Sequence, residues 1–119
     1  MKVTIKDCYV LSEDFQNQFI GKDVLPEPSF EKLKLSKRTA HQIRYEDVYI
    51  LEPHKFYYVT FNETMVNEHY SIYVYKAFIK NGLMVRLEST ENRLYIYNAS
   101  QNIVYLQQGT KIGEVNYYG

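Results

Sequence analysis

Apolar and polar positions alternate along most of this chain with the two-residue period of a β-strand. Val3, Ile5 and, a little further on, the run Cys8 to Leu11 are apolar, while Thr4, Lys6 and Asp7 fall on the polar side. From residue 48 onward the pattern becomes a series of short apolar runs: 48–51, 56–61, 70–75, 83–87, 93–97 and 103–106. Turn formers bound each run, among them Glu52-Pro53-His54, Asn62-Glu63, Asn67-Glu68, Asn81-Gly82, Asn98-Ala99-Ser100 and Gln108-Gly109. Strands at this spacing predict an all-β fold, a sandwich or a jelly-roll-like barrel. Asn81-Gly82 further predicts a tight hairpin, because both residues tolerate positive φ.

The stretch between the first strand and residue 48 reads differently. Ser12 is placed to cap one short N-terminal helix near residues 13–20, with Glu13 and Asp14 in its first turn, where carboxylates favour the helix dipole. Leu11, Phe15 and Phe19 recur every four residues, and Gly21 would end the element. Pro26 and Pro28 mark a loop. Lys32-Leu33-Lys34-Leu35 alternates as a strand or an extended arm, and 39–45 has no clean period.

A length of 119 residues predicts a single domain, 1–119, with one modest core. Thirteen Tyr and six Phe strengthen the β reading, since aromatic rings suit pleated, half-buried surfaces. Tyr73, Tyr75, Tyr95 and Tyr97 would form an aromatic row if Ile72, Val74, Leu94 and Ile96 face the core. The formal net charge is zero, so no basic field exists to attract bulk nucleic acid or anionic lipid. The charges are nonetheless segregated: Lys32, Lys34, Lys37, Arg38 and Arg44 form a basic segment, and Glu46, Asp47, Glu52, Glu63 and Glu68 follow it. Cys8 is the only cysteine, which leaves no intrachain disulfide and no thiolate zinc cluster. His41, His54 and His69 have no metal-ligand spacing, and the glycines form no phosphate loop. No cofactor and no metal are expected. The N-terminus is charged and alternating, without the apolar core of a signal peptide, so a cytoplasmic protein without a membrane partner is expected.

The phrase Asn98-Ala-Ser-Gln-Asn-Ile-Val-Tyr-Leu-Gln-Gln-Gly-Thr-Lys-Ile-Gly-Glu-Val115 resembles the closing hairpin of the dUTPase/dCTP deaminase superfamily, where a Gly-x-Lys/Arg-Ile-Gly/Ala run follows an Asn-containing turn. The segment 49–64 is similar to that family's Leu-x-Pro-Gly turn and the strand after it, with His54 in place of the glycine. The likeness covers about residues 48–115 and leaves 1–45 as a divergent N-terminal part. It implies a dUTPase-like distorted jelly roll and a homotrimer.

The family's catalytic residues do not carry over. Tyr75, Lys76 and Ala77 stand where Arg-Ser-Ser would hold phosphates, and Lys80 replaces a second arginine. The segment 84–93 lacks the family's Asp-bearing hairpin, and only Asn116 to Gly119 follow the closing strand. The expectation is a non-catalytic member, of viral or mobile-element origin, that sequesters a nucleotide-like ligand or inhibits a host protein. The ligand residues implied by position are Tyr75, Lys76, Lys80, Arg86 and Arg93, with no catalytic residue assigned. Two alternatives stand beside it: an enzyme rebuilt around Lys76, Lys80, Glu88 and Glu91, and a structural virion component.

Overall fold

The computed structural model describes residues 1–13 and 28–118. The helix expected near residues 13–20 lies outside the described residues except for Glu13. Of the described residues, 59% are strand and 8% helical, so the chain is all-β with a barrel-like, nearly closed sheet. Among the described residues ten strands run in order: β1 (Lys2–Leu11), β2 (Phe30–Lys32), β3 (Ser36–Ala40), β4 (Ile43–Leu51), β5 (Phe56–Phe61), β6 (Tyr70–Val74), β7 (Leu83–Glu88), β8 (Arg93–Asn98), β9 (Val104–Gln107) and β10 (Lys111–Tyr117). One short helix, α1 (Lys76–Ile79), lies between β6 and β7.

The large sheet has the order β6-β10-β1-β5-β8-β7, with β2 also paired to β1. The small sheet is β3-β4-β9. Strand β1 therefore lies at the middle of the large sheet, and the N-terminal residues are integral to it. Its alternation changes phase partway. Val3, Ile5 and Cys8 are all fully buried, a spacing of two and then three, and the pairing with β5 shifts register between Ile5 and Cys8. That bulge keeps the polar pair Lys6-Asp7 out of the core. Its backbone groups are satisfied from three sides: Tyr49 Oη and Gln108 Nε2 donate to the Lys6 carbonyl, and Asp7 N–H donates to Thr60 Oγ1.

The segment without a period, 39–45, is the β3–β4 hairpin. Its turn residues His41 and Gln42 both have positive φ, 51° and 65°. Two positive φ values match the twist of a tight hairpin, although neither residue is a usual choice. Outer residues of this ribbon join the basic and acidic segments: Lys37 and Arg44 both reach Glu46 at 3.3 Å. Two of the basic residues and one of the acidic ones thus meet within one hairpin.

Asn81-Gly82 does not form the expected hairpin. Strands β6 and β7 lie at opposite ends of the large sheet, and the Gly82 N–H donates back to the Ile79 carbonyl, closing α1. Gly82 adopts φ 89°, so it serves as the left-handed residue after a helix. The aromatic row is likewise divided, since β10, β1 and β5 separate β6 from β8. Tyr95 instead joins Tyr58, Phe30 and Tyr9 on the outer face, where Tyr9 and Tyr58 stack at 4.6 Å. Among the described residues no helix is long and apolar enough to cross a membrane.

The core contains polar atoms whose ionisation would oppose the fold. Burial pushes the Cys8 thiol up from 9.0 to about 12, and burial first, then nearby Asp7, raises Tyr49 from 10.0 to about 12. Burial likewise raises Tyr57 to about 12. The unfolded chain releases these protons first, so the stability present below pH 9 falls as pH rises toward 12. Alkaline titration followed by circular dichroism is expected to show loss of β signal inside that window. At about pH 8, Cys8 is expected to react with a thiol reagent only after denaturant is added. Rapid reaction of the native thiol would overturn this account of its burial.

Candidate functional site

An open cleft of about 670 Å³ lies between the small sheet and the segment around α1. That volume is within the range of small-molecule sites. Val48, Phe78, Leu83, Val104 and Leu106 form its apolar lining. Arg38 and Lys111 bring positive charge, His41 brings an imidazole, and Tyr45, Tyr75 and Tyr105 bring rings. None of the described residues lining it is acidic. Each comes from a different local cause. The β3–β4 turn supplies His41, β3 supplies Arg38, and the Gly109 turn (φ 83°) returns the chain so that Lys111 opens β10. The Arg38 guanidinium carbon lies 5.9 Å from the centre of the Tyr105 ring, and no carboxylate is paired with it within 4 Å among the described residues.

Four consecutive residues of β9, Val104 to Gln107, touch this cleft. Side chains of a strand alternate between faces, so a cavity that meets four in a row runs along the strand's edge. Among the described residues β9 pairs only with β4, and no described strand lies along its other edge.

The five residues expected from sequence do not gather there. Tyr75 lines the cleft, its hydroxyl 3.4 Å from Glu114 Oε1. Desolvation and the Glu114 charge both raise its pKa, so it stays a neutral phenol. Lys76 and Lys80 are exposed on and just after α1. Arg86 and Arg93 lie toward the far end of β7 and β8, where the register pairs Arg86 with Tyr95 and Arg93 with Glu88, remote from Leu83. Six residues of strand separate the two ends by roughly 17 Å. Arg93 is already engaged, 3.1 Å from Glu91 and 4.2 Å from the Tyr58 ring centre. Arg86 sits 5.7 Å from the Tyr95 ring centre.

Glu88 and Glu91 are at the same far end as Arg93 and away from Lys80, which precedes the opposite end of β7. Glu88 accepts a bond from Thr90 Oγ1. Glu63, another carboxylate near a concavity, is taken up by Thr4, whose N–H and hydroxyl donate to its two oxygens. Among the described residues no three His, Cys, Asp or Glu side chains gather as a metal cluster.

Sequence reasoning missed Arg38, His41, Tyr105 and Lys111 as partners. Arg38 was visible only as one of a basic run, and Lys111 only as part of a strand phrase. One signal was available: 39–45 lacks a buried period while carrying charge, as expected for a projecting ribbon.

The fold and cleft define an all-β, barrel-like protein with an open recess along one sheet edge, whose described lining residues include no acid. No protein-family model matches the chain, and no curated protein matches it.

Proposed function

We propose that this chain is a non-catalytic binding protein of dUTPase-like descent that captures an anionic partner in the β9 cleft. The observation that carries this reading is the cleft's composition: Arg38 and Lys111 beside tyrosine rings and an aliphatic lining, with no acidic residue among the described lining residues. Guanidinium and ammonium groups hold phosphate or carboxylate, while the rings and aliphatic walls take an apolar or planar body. A nucleotide-like ligand meets that chemistry, and so does a carboxylate-bearing segment of a host protein. Sequestration or inhibition, in a virus or mobile element, needs such a surface and no turnover. Assembly as a homotrimer and residence in the cytoplasm belong to the same reading.

The rebuilt-enzyme reading has less support. Its lysines and carboxylates stand at opposite ends of β7, and Glu91 is held by Arg93.

Thermal-shift measurements with nucleoside mono-, di- and triphosphates test the proposal. Ligand at a hundredfold excess over its Kd adds about 2.7 kcal/mol, a rise of roughly 8 °C for a domain of this size. Arg38→Ala with Lys111→Ala is expected to abolish the rise, and Lys76→Ala with Arg93→Ala to leave most of it. The reverse pattern would restore the site expected from sequence. Release of pyrophosphate or ammonia from dUTP or dCTP at more than stoichiometric yield would refute the non-catalytic reading.

A further inference from the structure

We infer that the cleft receives an extended acidic peptide segment of a partner protein, which adds as a strand to the free edge of β9. This rests on the reading of the cleft as the binding site and assigns its occupant.

The backbone supplies the first argument. In an antiparallel ladder, residues alternate between those that bond to the neighbour and those that point away. The Gln108 N–H donates to the Asp47 carbonyl, and the register places Leu106 opposite Tyr49 and Val104 opposite Leu51. Val104 and Leu106 therefore bond toward β4, and the Tyr105 N–H and C=O, with the Gln107 N–H, face the open edge. The Gln107 carbonyl is already capped by Thr110 N–H and Oγ1. The cleft follows this edge, so an incoming strand would find directional donors and an acceptor where a small ligand would find only side chains.

The side chains supply the second argument. Strands of globular proteins usually block a free edge with charge, proline or a covering segment. Here Tyr105 is 50% exposed and Ile103 47% exposed beside it. The charges at hand, Arg38 and Lys111, are both positive, and no described residue lining the cleft is acidic. That combination suits a segment whose alternate residues are apolar and acidic: one side meets Leu83, Phe78 and Val104, the other meets the cations.

The test uses the whole chain and a fluorescein-labelled seven-residue peptide of alternating valine and glutamate, read by anisotropy. Saturable binding is expected, weakened by salt, and at least tenfold tighter than for the valine–lysine counterpart. Tyr105→Pro removes an N–H that the fold does not use, so the melting temperature should move little while peptide affinity falls at least tenfold. A second measurement does not depend on that variant folding. Methylating the peptide amides of one parity should abolish binding, and methylating those of the other parity should not. Equal tolerance of both methylation patterns, or unchanged binding by a folded Tyr105→Pro chain, overturns strand addition. Stabilisation by nucleotides that requires Arg38 and Lys111, with no peptide binding, overturns this inference and leaves the anion-binding cleft intact. If neither probe binds, both fail.

Discussion

Gly113→Ala is expected to destabilise the chain by about 3 kcal/mol or more, or to prevent folding, since the methyl has no room. A Cβ built at Gly113 would lie 2.2 Å from the Tyr73 carbonyl oxygen and 2.9 Å from its carbon, both main-chain atoms of the neighbouring strand. Gly113 pairs with Val3 on one side and Val74 on the other, in the interior of the large sheet. Relief would require β6 to move away from β10 along the ladder that runs from Gly113↔Val74 to Tyr117↔Tyr70. Native domains have only about 5–15 kcal/mol in total, so such a loss is severe. Gly109→Ala is the control. Gly109 has φ 83° but nothing within 4 Å of its Cβ position, so only backbone strain of about 1 kcal/mol is expected. Urea unfolding of both variants decides the matter. Equal midpoints would show that β6 yields freely and would sink the argument.

Asn98→Leu should cost about 3 kcal/mol, because it leaves several buried polar groups without partners. Asn98 is the one buried polar residue among the described positions. Its Nδ2 donates to the carbonyls of Leu51 and Asn102, both at 2.9 Å, and its Oδ1 accepts from Ser100 N–H and Ser100 Oγ. Its own backbone carbonyl accepts the His54 N–H at 2.7 Å. One side chain thus ties the end of β4 in the small sheet to the end of β8 in the large one. It also shapes the loop that delivers β9 to the cleft. His54, whose φ is 60°, completes the junction at the place where the resembled phrase has glycine.

Asn98→Asp is the sharper variant. It keeps the acceptor and turns both donors into a carboxylate facing two carbonyl oxygens. Such a group favours its protonated form in the fold, so its pKa there should rise above the ordinary carboxylate value of about 4. The deficit against wild type should then grow as pH rises through that range and shrink in acid. A pH-independent deficit would mean that the loop opens and hydrates the carboxylate.

Much of the strand order could be read along the chain because each strand buries one face. Leu94 and Ile96 inward with Tyr95 and Tyr97 outward is a period-two statement that needs no neighbour to interpret it. Strand β5, Phe56–Phe61, has the bounds that the apolar run predicts. The hairpin β3–β4 was illegible for the opposite reason. From Ile43 to Asp47, β4 is exposed and carries no buried face, so no period was imprinted on it. Gly82 illustrates another limit. Positive φ serves a hairpin and a helix end equally, and only the distance between β6 and β7 in the sheet separates the two uses.

The site was less legible than the fold. Arg86 and Arg93 are near Lys76 and Lys80 in sequence, yet a strand carries them to the other end of the sheet. Arg38, Tyr105 and Lys111 are brought together from β3, β9 and β10 by the pairing of β9 with β4 and the turn at Gly109. Local pattern determined that this protein is β, roughly where most of its core strands lie, and which of their faces are apolar, because those properties depend on residues one or two apart. Long-range pairing decided which edge stayed open, which cations met there, and which glycine could bear no methyl. Those outcomes depend on contacts between segments far apart in the chain, and a linear pattern holds no record of them.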